Sequence, residues 1–320
     1  MRIPTPRTAL VGGIAVAALA LTGCAASDTP AESTGLSIVA STNVYGSIAE
    51  SIGGDLVTVT SLITSAAQDP HSYEASAQDQ LALSKADLVI ENGGGYDPFI
   101  DTLLSAASTD APVVNASEAS GLLEADHDDA TSSATEDEDH EGHDHIEGFN
   151  EHVWYSFHGV EHVAEEIAAQ LAALDADNAA TYEANYEAFA AQLEQLDADA
   201  EALHTTTEGL GVAITEPVPL YLLEAAGFTN QTPDEFSEAI EEGTDVAPAV
   251  LQETLGLFAD GSVALLAYNE QTASSETEQV RAAAEDNDVP VVQFTETLPD
   301  GADYVSWMTD NLSAISAALG

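Results

Sequence analysis

Positive charge is nearly missing from this chain of 320 residues, which has 4 Lys and Arg against 57 Asp and Glu, for a formal charge of −53. A field of that sign repels nucleic acid and anionic lipid surfaces, and nucleic acid is excluded as a partner. Few carboxylates can find a cation, so most must sit in water and repel one another, a penalty that salt screens. The composition therefore reads as adaptation to a saline, halophilic setting, and it would also concentrate cations near the protein. Cysteine is equally scarce: Cys24 is the only one, which rules out an internal disulfide and argues against a thiolate copper(I) or structural zinc site. Long apolar runs are absent except at the N-terminus, where "ALVGGIAVAALAL" follows Arg2 and Arg7 and precedes "LTGC". That run is too short to span a membrane comfortably and fits a signal peptide over 1–23.

The ending Leu-Thr-Gly-Cys resembles a bacterial lipobox, which implies lipidation at Cys24 and an extracytoplasmic protein anchored to the cell membrane through its lipid. Residues 24–36 are small and polar, as a flexible tether should be. Alternation begins next: strand "LSIVAST", helix "VYGSIAESIGG" and strand "LVTVTSLIT". The loop "SAAQDPHSYEAS" leads into the helix "AQDQLALSKA", with Ser76 as cap and Asp79 at the third helical position. Strand "DLVIEN", helix "DPFIDTLLSAA" and strand "PVVNAS" complete a first α/β lobe over 37–177. It is interrupted at 124–147 by a segment of Asp, Glu and His with too little apolar surface to offset the entropy of ordering.

Residues 178–206 are rich in Ala, Leu and Glu with no Gly or Pro, and predict a linking helix roughly 40 Å long, a spine between lobes. A second α/β alternation fills 207–320: strand "GVAIT", helix "PLYLLEAAG", an irregular stretch to about Asp245, then "PAVLQETLGLFADG", "VALLAY", "SETEQVRAAAEDN", "VPVVQF" and a closing helix. The fold class is α/β, with two lobes, each a mostly parallel sheet flanked by helices.

Ligands of open α/β sheets lie where strands end and helices begin. His71 follows the second strand, His152 follows the acidic segment and Glu216 follows "GVAIT". Imidazole and carboxylate suit Zn²⁺ or Mn²⁺. Taken singly, these residues read equally well as a loop histidine, a member of a histidine-rich stretch and an acid at a helix N-terminus.

The stretches "DPHSYEASAQDQLALSKADLVIENGGGYDPFIDTLL", "NEHVWYSFHGVEHVAEEIAAQLAALD", "ITEPVPLYLLEAAGF" and "YNEQTASSETEQVRAAAEDNDVPVVQFTETLP" resemble the zinc and manganese solute-binding lipoproteins of ABC importers. The likeness runs over the chain after the tether. It implies a monomer, not an enzyme, that captures a divalent metal and passes it to an ABC permease and its ATPase. It also implies His71, His152 and Glu216 as ligands. The fourth family ligand maps loosely onto "NEQT", making Glu270 the natural choice, with water or Gln271 as alternatives. Zn²⁺ is the expected cargo, because affinity rises along the Irving–Williams order from manganese; Mn²⁺ is the alternative that the Glu216 carboxylate favours. Two other readings are an adhesin-like surface lipoprotein and a zinc protease. The latter rests on "HGVEH", residues 158–162, which fits H-x-x-E-H with Glu161 activating water. The resemblance instead puts that segment at the start of an ordinary helix. His204 reads as solvated. His127, His140, His143 and His145 resemble the acidic histidine-rich loops of the family's zinc-handling members, which implies weak, fast ion collection.

Overall fold

The computed structural model describes residues 35–123, 146 and 148–320. Four strands, β1 (Leu36–Thr42), β2 (Val57–Ile63), β3 (Leu88–Glu91) and β4 (Val113–Asn115), lie in the order β2-β1-β3-β4, every neighbouring pair parallel. The central strands are apolar because both their faces are covered. Ile38, Ala40, Leu88 and Ile90 point to one face and meet α1 (Asn43–Gly53) through Val44, Ile48 and Ile52. Val39 and Val89, one residue out of step, point to the other and meet Leu83 of α2 (Ala77–Leu83) and Phe99, Ile100 and Leu103 of α3 (Phe99–Ala107). The start of α2 is held by a reciprocal cap. The Ser76 hydroxyl oxygen accepts from the Asp79 backbone N–H, and Asp79 Oδ2 accepts from the Ser76 backbone N–H at 2.7 Å. A single turn, α4 (Ala116–Ala119), follows β4.

The second sheet repeats the topology. β5 (Gly211–Ile214), β6 (Thr229–Asn230), β7 (Leu265–Asn269) and β8 (Val291–Phe294) lie in the order β6-β5-β7-β8, again all parallel. Between and after them come α7 (Leu220–Ala225), α8 (Asp234–Glu241), α9 (Pro248–Ala259), α10 (Ser275–Asp286) and α11 (Tyr304–Leu319). One face of this sheet packs Ala213, Leu266 and Tyr268 against Phe236 and Ile240 of α8, Phe258 of α9 and Val280 of α10. Its other face, with Val212, Ile214, Leu265, Ala267 and Phe294, joins the same core as Ile38 and Ile90 of the first sheet. The lobes thus have separate outer cores and one shared inner core.

The shared core is filled by α5 (Phe157–Leu174) and α6 (Ala179–Thr207). The 29 residues of α6 span roughly 43 Å at helical rise. Its buried stripe is Tyr182, Phe189, Leu193, Leu196, Ala200 and Thr207, spaced by three, four or seven. Truncation of Phe189 to Ala would remove a fully buried ring at about 3–5 kcal/mol. The chain then returns to the first lobe. Asn43 accepts from the Leu298 N–H at 3.0 Å and donates to the Leu298 carbonyl at 3.1 Å, while the Tyr304 hydroxyl donates to the Trp154 carbonyl at 2.6 Å.

Three local readings of the sequence are corrected. The stretch taken as irregular before Asp245 contains β6 and α8; α8 forms because Phe236 and Ile240, one turn apart, cover the outer face of the second sheet. Leu36, counted both as the end of the tether and as the start of the strand "LSIVAST", is the first residue of β1 and pairs with Val57. Ile146, assigned to the acidic insertion, packs against the shared core. No helix among the described residues is long and apolar enough to cross a membrane. Cys24 and the insertion histidines His127, His140, His143 and His145 lie outside the described residues.

Candidate metal centre

His71 stands in the loop after β2, where Asp69 shapes the turn by accepting the His71 backbone N–H at 2.9 Å and the Ser72 hydroxyl at 2.8 Å. Its ring lies edge-on to Tyr96, with centroids 4.9 Å apart, and 6.3 Å from the ring of His152. His152 precedes a short turn at Val153–Tyr155 and is fully buried against Trp154 and Tyr96. Its tautomer is set by Asn150. Asn150 Oδ1 accepts the His152 backbone N–H at 3.1 Å, which identifies that atom as the oxygen, and lies 2.7 Å from Nδ1. Nδ1 therefore carries the proton and Nε2 carries the lone pair, the arrangement a metal-ligating imidazole requires.

Two carboxylates of the second lobe occupy matching places. Glu216 lies two residues beyond the end of β5 and Glu296 two beyond the end of β8, each about 3% exposed. Asn269, the last residue of β7, joins them: its Nδ2 donates to Glu216 Oε2 at 2.6 Å and to Glu296 Oε1 at 2.7 Å. The Thr272 hydroxyl also donates to Glu216 Oε2, at 2.5 Å, and the Tyr96 hydroxyl to Glu296 Oε2 at 3.3 Å. Burial, then the charge of Glu216, holds the Glu296 carboxyl well above the ordinary range. Burial also raises that of Glu216, with the Thr272 and Asn269 donors opposing the rise. Such carboxylates hold protons near neutrality until a cation replaces them.

Among the described residues, ligand atoms of His71, His152 and Glu296 lie within 4.8 Å of one another, and so do those of His71, Glu151 and Glu241. Glu241 Oε1 is 3.6 Å from His152 Nε2. The structure therefore brings His71 and His152 together and ties Glu216 to their carboxylate partner through Asn269. Glu270 is not brought in. It is exposed and belongs to neither trio, because Asn269 takes the inward place at the end of β7 and the next residue turns outward. The carboxylates of that lobe beside the histidines are Glu296 and Glu241. The signal of Glu296 was present in the sequence, since it stands as far past its strand as Glu216 does. Glu151 is the immediate neighbour of His152. Glu241 carries no signal of its own, being one acid among many in "DEFSEAIEEGTD". Gln271 donates nothing to the trios, but its Oε1 accepts the Glu296 backbone N–H at 2.8 Å.

The H-x-x-E-H histidines lie elsewhere. His158 and His162 stand one turn apart on α5 with ring centroids 4.4 Å apart, and His162 Nδ1 is 3.2 Å from the Ser120 carbonyl. Neither is in a three-member ligand cluster among the described residues.

Two imidazoles from one lobe and two relayed carboxylates from the other agree with what the whole chain matches. The model of the zinc-uptake complex component A periplasmic family, ZnuA, covers residues 38–318. The chain belongs to that family. Its relatives carry different metals in their names. It is 29% identical to the manganese ABC transporter substrate-binding lipoprotein scaA of Streptococcus gordonii, over 94% of this chain and 96% of that protein. It is 26% identical to the iron ABC transporter substrate-binding lipoprotein MtsA of Streptococcus pyogenes, over 98% of each. The periplasmic zinc binding protein TroA of Treponema pallidum shares the fold, with a TM-score of 0.72 over 89% of this chain and 99% of that one at 20% identity. The family is one of substrate-binding transport components.

Proposed function

We propose that this ZnuA-family protein captures a divalent first-row transition-metal ion between its lobes and delivers it to a membrane permease driven by an ATPase. His71, His152, Glu216 and Glu296 are the ligands in this reading. The observation that carries it is the convergence of the two buried histidines, one with its tautomer set by Asn150, on Glu296, itself bridged to Glu216. A dication would cancel the charge of two carboxylates that otherwise repel each other in a dry site. Lipidation at Cys24 would hold the protein, as a monomer, at the outer face of the cell membrane, within reach of the permease.

Zn²⁺ is expected to bind more tightly than Mn²⁺, because manganese stands lowest in the Irving–Williams order that mixed nitrogen and oxygen sites follow. Mn²⁺ as the cellular cargo is the second reading, and Glu296 is the observation that favours it. Two carboxylates can each offer two oxygens, enough with the imidazoles for a six-coordinate ion. Metal analysis of natively purified protein, paired with growth of a deletion strain under separate zinc and manganese limitation, tests both. Rescue by manganese alone assigns manganese, rescue by zinc assigns zinc, and absence of bound metal with normal growth under both limitations refutes the function.

A further inference from the structure

Two of the buried acids around this site exceed what one ion position needs. Glu151 and Glu241 share His71 with the first trio but replace His152 and Glu296 by a second pair. Glu241 is poorly placed for any purely structural task. It is the last residue of α8, where the helix end is partially negative, and the charged groups facing it, Glu151, Glu216, Glu296 and Glu238, are all acidic. Its Oε1 is shut off from solvent and makes no hydrogen bond; the nearest basic atom is His152 Nε2 at 3.6 Å. The one lysine and one arginine among the described residues cannot serve it, since Arg281 pairs with Glu278 and Lys85 is exposed. A dication reaching this place would supply the countercharge that the acid lacks there.

We propose that His71, Glu151 and Glu241 form a second ion position, used in alternation with the principal one as the ion enters and leaves. The inference rests on the metal-capture reading above. Alternation follows from chemistry: a neutral imidazole offers one lone-pair nitrogen, so His71 serves one ion at a time. An ion crosses between the positions by exchanging one pair of ligands while His71 stays bound. A shared ligand lets the ion move without being stripped bare in a dry interior, where a naked dication is most costly.

The test uses Mn²⁺ as probe. Crystals of His152→Ala grown with Mn²⁺ are expected to show an anomalous peak bonded to His71, Glu151 and Glu241. Adding Glu241→Gln should remove that peak and weaken chelator-competition affinity by a further factor of about 10 to 100. In the otherwise unaltered protein, Glu241→Gln should slow Mn²⁺ release to excess EDTA about tenfold while affinity stays within about threefold, a split that loss of a merely structural contact does not produce. An ion in His152→Ala bonded only by His71, Glu216 and Glu296, no ion there while the unaltered protein carries one, or an unchanged release rate overturns the second position and leaves metal capture standing. Absence of bound Mn²⁺ from the unaltered protein overturns both.

Discussion

Replacing Asn269 by Ala removes the one amide that donates to both Glu216 and Glu296, at 2.6 and 2.7 Å. The cost to the metal-free protein depends on what those acids carry. If both are protonated, two neutral hydrogen bonds are lost, about 1–3 kcal/mol together; if both are ionised, two charge-assisted bonds are lost, about 3–6 kcal/mol. Burial raises both carboxyls above the unfolded value, so the native state holds protons the unfolded state has released. The sign follows: metal-free stability is fully present below the unfolded carboxylate range and falls as pH rises through the raised native values. Loss of the amide raises those values further, so the variant falls more steeply. We therefore expect a destabilisation near the lower figure at about pH 5.5, growing to about 3 kcal/mol or more at about pH 8.5. Urea unfolding of both proteins in EDTA at the two pH values measures it. A destabilisation that does not change with pH, or one under about 0.5 kcal/mol at the higher pH, would refute the argument that Asn269 supports two paired buried acids.

Three further outcomes are expected. His71→Ala and His152→Ala should each weaken metal binding at least about 100-fold in chelator competition with melting little changed, while Glu270→Gln, at an exposed position, should bind like the parent; a weakened Glu270→Gln would restore that residue to the ligand set. Metal affinity should fall as pH drops, by up to about tenfold per unit for each proton displaced, beginning above the range set by imidazole alone because Glu216 and Glu296 are raised; competition at a series of pH values reads it, and a flat profile down to about pH 6 contradicts the buried-carboxylate account. Metal-free protein should melt higher as sodium chloride is raised from dilute to molar, since salt screens a formal charge of −53; a flat melting temperature would mean the acids are already compensated by their arrangement.

Much of the candidate site is legible in the sequence because it obeys a rule about strand ends. His71, His152 and Glu216 follow structural breaks that the apolar pattern locates, and the resemblance to metal-binding lipoproteins selected them. The loose motif match points to Glu270, with water or Gln271 as alternatives, and leaves Glu296 unmarked for a reason of geometry. Both follow strands of the second sheet, and choosing between them requires knowing which strand end faces the histidines and which residue there points inward. The H-x-x-E-H pattern illustrates the converse: its spacing does put two imidazoles on one helix face, yet no carboxylate completes a three-member cluster with them among the described residues.

Local chemistry, carried by the sequence alone, determined the alternating elements, the parallel α/β class, the Ser76–Asp79 cap and the long central helix, because periodicity and capping act over a few residues. The tertiary structure decided which faces of the two sheets share a core, that the last helix crosses back onto the first lobe, and which acids stand with His71 and His152. The physical reason is range. Asn269, Glu241 and Glu296 lie more than eighty residues from His152 in the chain, and what brings them to it is the burial of apolar surface on distant elements, a force with no directional code in any short window of sequence.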